Sequence, residues 1–453
     1  MAWLIKGGWL VTEDRVEKGD LLIEGEKISA IGSDLKVSGA EVLDARGKYV
    51  LPGIIDAHVH YQMPIGDLLT ADDFYTGTMS AACGGVTTVI DYAEPSRPGD
   101  SLKEVIDRRL AEARDKAAVD FALHLVLLPG QEEDREALRE TVGRGLVSFK
   151  VFTTYNQRLS YAAIGRCLEQ AKSLGALVTI HAEDDDTVMA AREELTGAGQ
   201  TSPQYHAKSR PAAAEVEAVR RILEMARRLE ARPYFVHIST GEAAELIVSA
   251  RKEGLEAYGE TCPHYLLLTE EVYAGEDAAL YLMCPPLRRK EDNLKLWQAL
   301  SEGYFQVVAT DHCSYTPAQK AAGTAFFNTP AGIPGSETLL PLLYSFGVRE
   351  GWLSLPQLVQ VLSGNPARLF GLYPRKGCLQ VGSDADIVVF DPRQERVLEA
   401  GKLHSAAGYT PFAGFTVRGY PEATILRGRL IFYEGRFLGR PGQGKFIPGK
   451  ARV

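Results

Sequence analysis

The rhythm of apolar and polar positions changes twice along the chain. Over residues 1–52, short apolar or alternating segments follow one another: Trp3-Leu4-Ile5, Trp9-Leu10-Val11-Thr12, Asp20-Leu21-Leu22-Ile23 and Lys27-Ile28-Ser29-Ala30-Ile31. Gly-Gly and Glu-Gly-Glu turns break them, a pattern that predicts β-strands. Over residues 53–374, apolar strand candidates alternate with long amphipathic stretches such as Leu102 to Lys116 and Ala213 to Leu229. Repeated strand-helix order predicts a parallel sheet. The strand candidates are Ile54 to His60, Val86 to Tyr92, Phe121 to Leu128, Leu146 to Phe152, Ala176 to His181, Pro233 to His237, Leu255 to Glu260 and Gln306 to Asp311. Eight such strands close a barrel. Over residues 375–440 short strands return, as Ala385 to Phe390, Ala423 to Arg427 and Arg429 to Tyr433, with Gly428 as a turn residue.

The expected class is therefore α/β: a (β/α)8 TIM-type barrel flanked by a small β-sandwich built from both termini. The stretch from Gly439 carries Arg440, Lys445, Lys450 and Arg452, several Gly and Pro, and no acidic residue. Residues 441–453 are expected to form a tail that lies on a neighbouring subunit or moves freely. No internal repeat stands out beyond the strand-helix alternation.

Composition narrows the partners. A chain 45% hydrophobic and 24% charged is an ordinary globular one. A net charge of -9 argues against a nucleic acid or an anionic membrane surface as the main partner, since either needs a basic face. A small molecule fits better. Cys83, Cys167, Cys262, Cys284, Cys313 and Cys378 are scattered without CxxC spacing, which suggests reduced thiols and a cytoplasmic location. Met-Ala-Trp-Leu-Ile-Lys-Gly-Gly at the start lacks a basic segment followed by an apolar core, and no window approaches the roughly 18 apolar residues of a membrane span.

Chemistry concentrates at the strand ends. In the motif Gly53-Ile-Ile-Asp-Ala-His-Val-His60, an extended chain turns His58 and His60 to the same side. Alone they could be core histidines. The ends of strand candidates four, five, six and eight add Lys150, His181, His237 and Asp311, so four of the nine histidines fall where barrel enzymes keep their chemistry. That set points to a metal site. Lys150 lies in the apolar run Leu146-Val-Ser-Phe-Lys-Val-Phe152 with no carboxylate beside it. Burial lowers a lysine pKa, and a neutral amine can take up carbon dioxide to form a carbamate. A carbamate is a carboxylate on a long arm, able to bridge two divalent ions.

An ordered set of segments resembles the hydantoinase and dihydropyrimidinase group of the amidohydrolases over nearly the whole chain. The segments are Pro52-Gly-Ile-Ile-Asp-Ala-His-Val-His60, Thr70-Ala-Asp-Asp-Phe-Tyr-Thr-Gly-Thr78, Gly84-Gly-Val-Thr-Thr88, Ser148-Phe-Lys-Val-Phe152 with Tyr155, Ile180-His-Ala-Glu183 and Val236-His-Ile-Ser239. Glu260-Thr-Cys-Pro-His-Tyr265, Pro285-Pro-Leu-Arg288, Thr310-Asp-His312 and Gly382-Ser-Asp-Ala-Asp-Ile387 complete it. The resemblance implies that His58, His60, carbamylated Lys150 and Asp311 hold the more buried of two divalent ions. The carbamate, His181 and His237 would hold the more exposed one. Zinc is the default for imidazole and carboxylate donors, with manganese, cobalt or nickel as substitutes. The implied activity is ring opening of a hydantoin or dihydropyrimidine to an N-carbamoyl amino acid, by a hydroxide shared between the ions. Asp311 would carry the proton to the ring nitrogen and Tyr155 would donate to the oxyanion. A homo-oligomer, tetramer or dimer, is also implied.

Departures bear on substrate. Relatives that open dihydroorotate have arginine where this chain has Gln62, so that substrate is not expected; Met63-Pro64 keeps the hydantoinase pattern, although the usual aspartate at position 62 is absent. Cys284 stands where the group has serine, and Ala331 where it has asparagine. Both positions are implied substrate contacts, and Cys284 can serve through its backbone. Allantoinase is the alternative enzyme. A non-catalytic scaffold of the same fold is the alternative outside catalysis, but the six ligand positions are all filled. His124, His206 and His404 are expected to be ordinary surface or core residues, with His264 and His312 intermediate. No thiol nucleophile is expected at Cys262 or Cys313.

Overall fold

The computed structural model describes residues 2–97 and 99–452. Eight parallel strands pair in chain order: Ile54–Asp56, Val86–Ala93, Asp120–Val126, Ser148–Phe152, Leu177–His181, Pro233–Phe235, Tyr258–Thr261 and Val307–Val308. The first and last meet beyond their regular ends, through a parallel bridge between Val59 and His312 and a 2.7 Å bond from the His60 amide to the His312 carbonyl. These two strands fall furthest short of the predicted ranges, while most of the others lose a residue or two. Asp56 explains part of the difference, because its carboxylate takes the Thr310 amide (3.0 Å) and hydroxyl (2.6 Å) in place of ladder bonds. His58 and His60 therefore stand just past the strand rather than on it.

The barrel interior is filled by inward residues of the strands, including Ile55, Ile90, Ala122, Leu177, Tyr234 and Val307. A larger core lies between the strands and the surrounding helices. Those helices begin where the sequence offers a cap. Ser101 and Ser160 accept the amides of Glu104 and Ala163 at the starts of Leu102–Arg114 and Tyr161–Leu174, and Gly175, at φ 66°, ends the latter.

The terminal segments form one nine-stranded mixed sheet. Its order is Arg436–Phe437, Arg429–Tyr433, Thr416–Leu426, Ile387–Val397, Tyr49–Pro52, Ala2–Val11, Val16–Glu24 and Lys27–Gly32, with Glu41–Asp44 also paired to Ala2–Val11. The predicted break at Gly7-Gly8 is an irregularity inside a single strand, where the Gly7 amide turns to the Asp20 carboxylate at 2.7 Å. Ile5, Leu21, Ile23, Val50, Ile387 and Ile425 give this sheet a core of its own. It is tied to the barrel by a buried ion cluster. Lys376 Nζ lies 2.5 Å from both Asp120 and Asp386 and 3.0 Å from Asp384, and Arg427 also pairs with Asp120.

The basic tail, expected to lie on a neighbouring subunit or to move freely, is bonded to its own chain. It crosses the N-terminal end of the barrel of its own chain. The Lys445 carbonyl and Ile447 amide pair with Phe121, and the amides of Gly449, Lys450 and Arg452 bond the carbonyls of Gly145, Gly371 and Gly175. A Cβ at Gly175 would lie 1.9 Å from the Arg452 carbonyl oxygen, so glycine there admits the chain. Ile447, 1% exposed, joins the barrel interior and closes its floor. Ile447→Ala is expected to destabilise the protein by about 2 to 5 kcal/mol, the range for truncating a buried isoleucine, by chemical denaturation. A loss below about 0.5 kcal/mol, as at an exposed site, would contradict the plug.

Candidate metal centre

Six side chains from five strands converge at the C-terminal mouth of the barrel. Nε2 of His58 and Nε2 of His60 each lie 3.2 Å from Asp311 Oδ1. His181 closes the fifth strand, His237 follows the sixth, and His181 Nδ1 is 3.0 Å from His237 Nε2. The rings of His58 and His237 stand 5.4 Å apart, which joins the two groups. Lys150, in the middle of the fourth strand, is 1% exposed. Its Nζ lies 5.4 Å from the centre of the Tyr92 ring and 5.2 Å from that of Phe152.

The backbone is bent to aim three predicted groups. Tyr155, His237 and Asp311 have φ of 71°, 39° and 50°, the left-handed region that non-glycine residues rarely occupy. Such strain gathers at functional sites because the surroundings enforce it.

Proton positions follow from the outer partners. His58 Nδ1 lies 2.7 Å from Glu260 Oε1, so the proton sits between them and Nε2 turns its lone pair toward Asp311. A lone pair and a carboxylate oxygen 3.2 Å apart repel unless a cation stands between them. His181 repeats the arrangement, with Nε2 2.7 Å from Glu183 Oε2 and Nδ1 turned toward His237. Among the described residues, His58 Nε2, His60 Nδ1 and His237 Nδ1 are buried without a hydrogen-bond partner. Imidazole nitrogens and a carboxylate in this arrangement fit a borderline divalent cation such as zinc.

Burial sets the charges. It pushes the pKa of His58 and His237 well below the ordinary imidazole value and lowers that of His181. It brings Lys150 down to about 8, against the pull of Asp311, Glu260 and Glu94, so a minor but reactive fraction of the amine is uncharged near neutrality. Burial would raise Asp311, but the imidazoles of His58, His60 and His264 overcome it and hold the carboxyl well below its usual range. The Tyr155 hydroxyl is raised well above its ordinary value by burial and so stays protonated, a donor.

Glu260 and Glu183 are the functional residues that the sequence expectation left out. Glu260 accepts from Tyr234 (2.7 Å) and from the His237 amide (3.2 Å) besides holding His58. Glu183 is held by Arg210, with Nη2 at 2.6 Å. Both glutamates lie inside the quoted motifs, two residues after His181 and at the end of strand seven, and that position was the available signal. Arg210, which also stacks 4.8 Å over the Tyr155 ring, had none.

Cys284 and Ala331 face the same cavity of about 2030 Å3 that holds the histidines. The carbonyls around Cys284 are taken: Leu282 by the Gly332 amide (2.7 Å), Met283 by His206 Nε2 (2.7 Å) and Pro285 by the Tyr265 hydroxyl (2.6 Å). Among the described residues, no protein group bonds the amide or carbonyl of Cys284 or of Ala331. Gln62 lies elsewhere, its side chain bonded to Lys116 at 2.6 Å and absent from the cavity wall, so it does not limit the substrate directly. Three of the remaining histidines have structural partners. His124 bonds Ser148 and the Ala57 carbonyl, His312 bonds Asp72, and His404 pairs with Glu337. His264 is buried beside Asp311 with Nε2 unpartnered among the described residues. Cys262 is buried, and Cys313 lies on the cavity wall.

The profile of the amidohydrolase family matches residues 49–431. A D-phenylhydantoinase of Escherichia coli O1:K1 / APEC is 39% identical over 457 residues, covering 100% of this chain and 99% of that protein. A D-hydantoinase of Geobacillus stearothermophilus is 40% identical, covering 99% and 96%. The crystal structure of a dihydropyrimidinase from Brevibacillus agri NCHU1002 superimposes with a TM-score of 0.98 at 39% identity, covering 100% of both chains. No helix among the described residues is long and apolar enough to cross a membrane. Glu260→Ala is expected to weaken divalent-metal binding about 10- to 100-fold, the usual effect of removing a carboxylate behind a ligand histidine, by metal titration. Unchanged affinity would remove Glu260 from that role.

Proposed function

The chain belongs to the amidohydrolase family and is a cyclic amide hydrolase of the hydantoinase and dihydropyrimidinase type, and on that premise we propose a two-metal ring-opening enzyme built on carboxylated Lys150. His58, His60 and Asp311 with one carbamate oxygen would hold one divalent ion, most simply zinc. His181, His237 and the other oxygen would hold the second. The observation that carries this is the convergence of His58 Nε2 and His60 Nε2 on Asp311 Oδ1, with the His58 proton drawn away to Glu260. When bound, the ions supply Lewis acidity, lowering the pKa of water and polarising a carbonyl.

The chain's own groups do the rest. Asp311, as a carboxylate, takes the proton of the attacking water and returns it to the departing ring nitrogen. Tyr155, kept protonated, donates its hydroxyl to the oxyanion that forms on the attacked carbonyl. The free amide and carbonyl of Cys284 and of Ala331 match the alternating carbonyl and N–H edge of a cyclic ureide or imide. Neither position depends on its side chain for this, which accounts for cysteine and alanine where the group carries serine and asparagine.

The substrate is a small cyclic ureide or imide, with a hydantoin first. Ile65, Leu68, Met189 and Phe327 are exposed apolar residues on the cavity wall, and they favour an apolar ring substituent over a charged one. Preference for allantoin over unsubstituted hydantoin and dihydrouracil in a ring-opening assay would instead assign an allantoinase.

Two variants test the assignment. Lys150→Ala is expected to lose most of its bound metal along with activity; near-stoichiometric metal with full turnover would sink the carbamate. Tyr155→Phe should keep its metal and lose turnover by roughly 10² to 10³, the scale of one oxyanion donor. Unchanged turnover would take Tyr155 out of the reaction.

A further inference from the structure

A second buried lysine lies just behind the cavity wall. Lys320 is 0% exposed, on the short helix Pro317–Ala321, and is not part of the cavity lining. Among the described residues it has no carboxylate partner. Nζ donates instead to two backbone carbonyls, Leu282 at 2.8 Å and Pro330 at 3.1 Å, and stands 6.0 Å from the centre of the Tyr315 ring. Burying an ammonium ion without a counter-charge is costly, and here carbonyl dipoles alone offset it. Burial accordingly lowers its pKa to about 7.

The two carbonyls are not arbitrary ones. Leu282 is two residues before Cys284, and Pro330 immediately precedes Ala331. The Leu282 carbonyl also accepts the Gly332 amide at 2.7 Å, so Lys320, Leu282, Pro330 and Gly332 form one join between two chain segments distant in sequence. His206 and Tyr265 fix the next two available carbonyls of the first segment, Met283 and Pro285. The result is a frame in which, among the described residues, the Cys284 and Ala331 peptide groups stay free and face the cavity. We infer that Lys320 is a positioning residue that sets the spacing between the Cys284 and Ala331 backbones and thereby the binding of the substrate ring. The inference rests on the proposed contact of those two backbones with the ring.

The mode of action differs from that of the metal centre. Loss of the Nζ join leaves the Gly332 amide bond alone to hold the two segments there, which loosens their spacing and weakens binding of the ring in ground and transition states alike, whereas the histidines and Lys150 are untouched. Such a loss falls on KM. In the metal-loaded enzyme, Lys320→Met is expected to raise KM for a hydantoin that the wild type opens by about 10- to 100-fold, the worth of hydrogen bonds from a charged donor. kcat should fall less than KM rises, and metal content should stay at the wild-type level. Lys320→Gln, which keeps an amide donor for one of the carbonyls, should recover part of the KM. An unchanged KM in Lys320→Met would overturn the inference. So would a fall in kcat and metal content at constant KM, or failure of both variants to fold, either of which would make Lys320 a purely structural group. A wild type that opens no cyclic ureide or imide would instead defeat the functional proposal itself, a result distinct from wild-type turnover with an insensitive KM.

Discussion

The constraint on which the rest of the site depends is the burial of the Lys150 amine. It sits among aromatic rings and uncharged imidazoles at the mouth of a closed barrel, away from water, where its positive form is disfavoured. Carboxylation would exchange that cation for an anion at the point where imidazole nitrogens from the first, fifth and sixth strands meet. The exchange has meaning only if all of these strands stand side by side, so barrel closure comes before chemistry. Closure between the first and last strands is made by His312 and Val59, the immediate neighbours of Asp311 and of both His58 and His60. Fold and site are joined at the same residues.

The two ends of the barrel divide the work. At the C-terminal end, Glu260 and Glu183 fix imidazole protons, and left-handed backbone at Tyr155, His237 and Asp311 aims side chains inward. At the N-terminal end, Ile447 closes the floor, and Lys376 with Arg427 neutralises the aspartates that face the sheet. This separation of stability from activity is general for the fold. It explains why a chain with a net charge of -9 keeps basic residues at its very end: they anchor a tail on acidic groups such as Glu26 and Glu256.

Much of this was legible in the sequence because strand ends are written as apolar runs that stop at a polar residue. His181 ends such a run, Lys150 interrupts one and His237 follows one closely; the strand-helix alternation supplied the barrel. Other features were hidden for physical reasons. Asp56 uses its side chain in place of ladder bonds, so the first strand is shorter than its apolar pattern. Glu260 and Glu183 look like ordinary acidic residues until burial is known. The tail looks mobile because glycine, proline and basic residues suit a free chain as well as one seated in a close-fitting track. Gln62 follows the histidine motif in sequence but turns to Lys116, because its backbone has already left the extended conformation at φ 48°. Lys320 is invisible without the fold, since its partners are carbonyls that no side-chain motif records.

The central claim is that Lys150 carries the group that joins two metal ions in a ring-opening enzyme. It is tested most directly by 13C NMR of the metal-loaded, active protein prepared in 13C-labelled bicarbonate. A single carbamate carbon resonance per chain is expected, absent from Lys150→Ala and lost on acid unfolding. Protein fully loaded with metal and opening cyclic ureides, yet without that resonance, would contradict it.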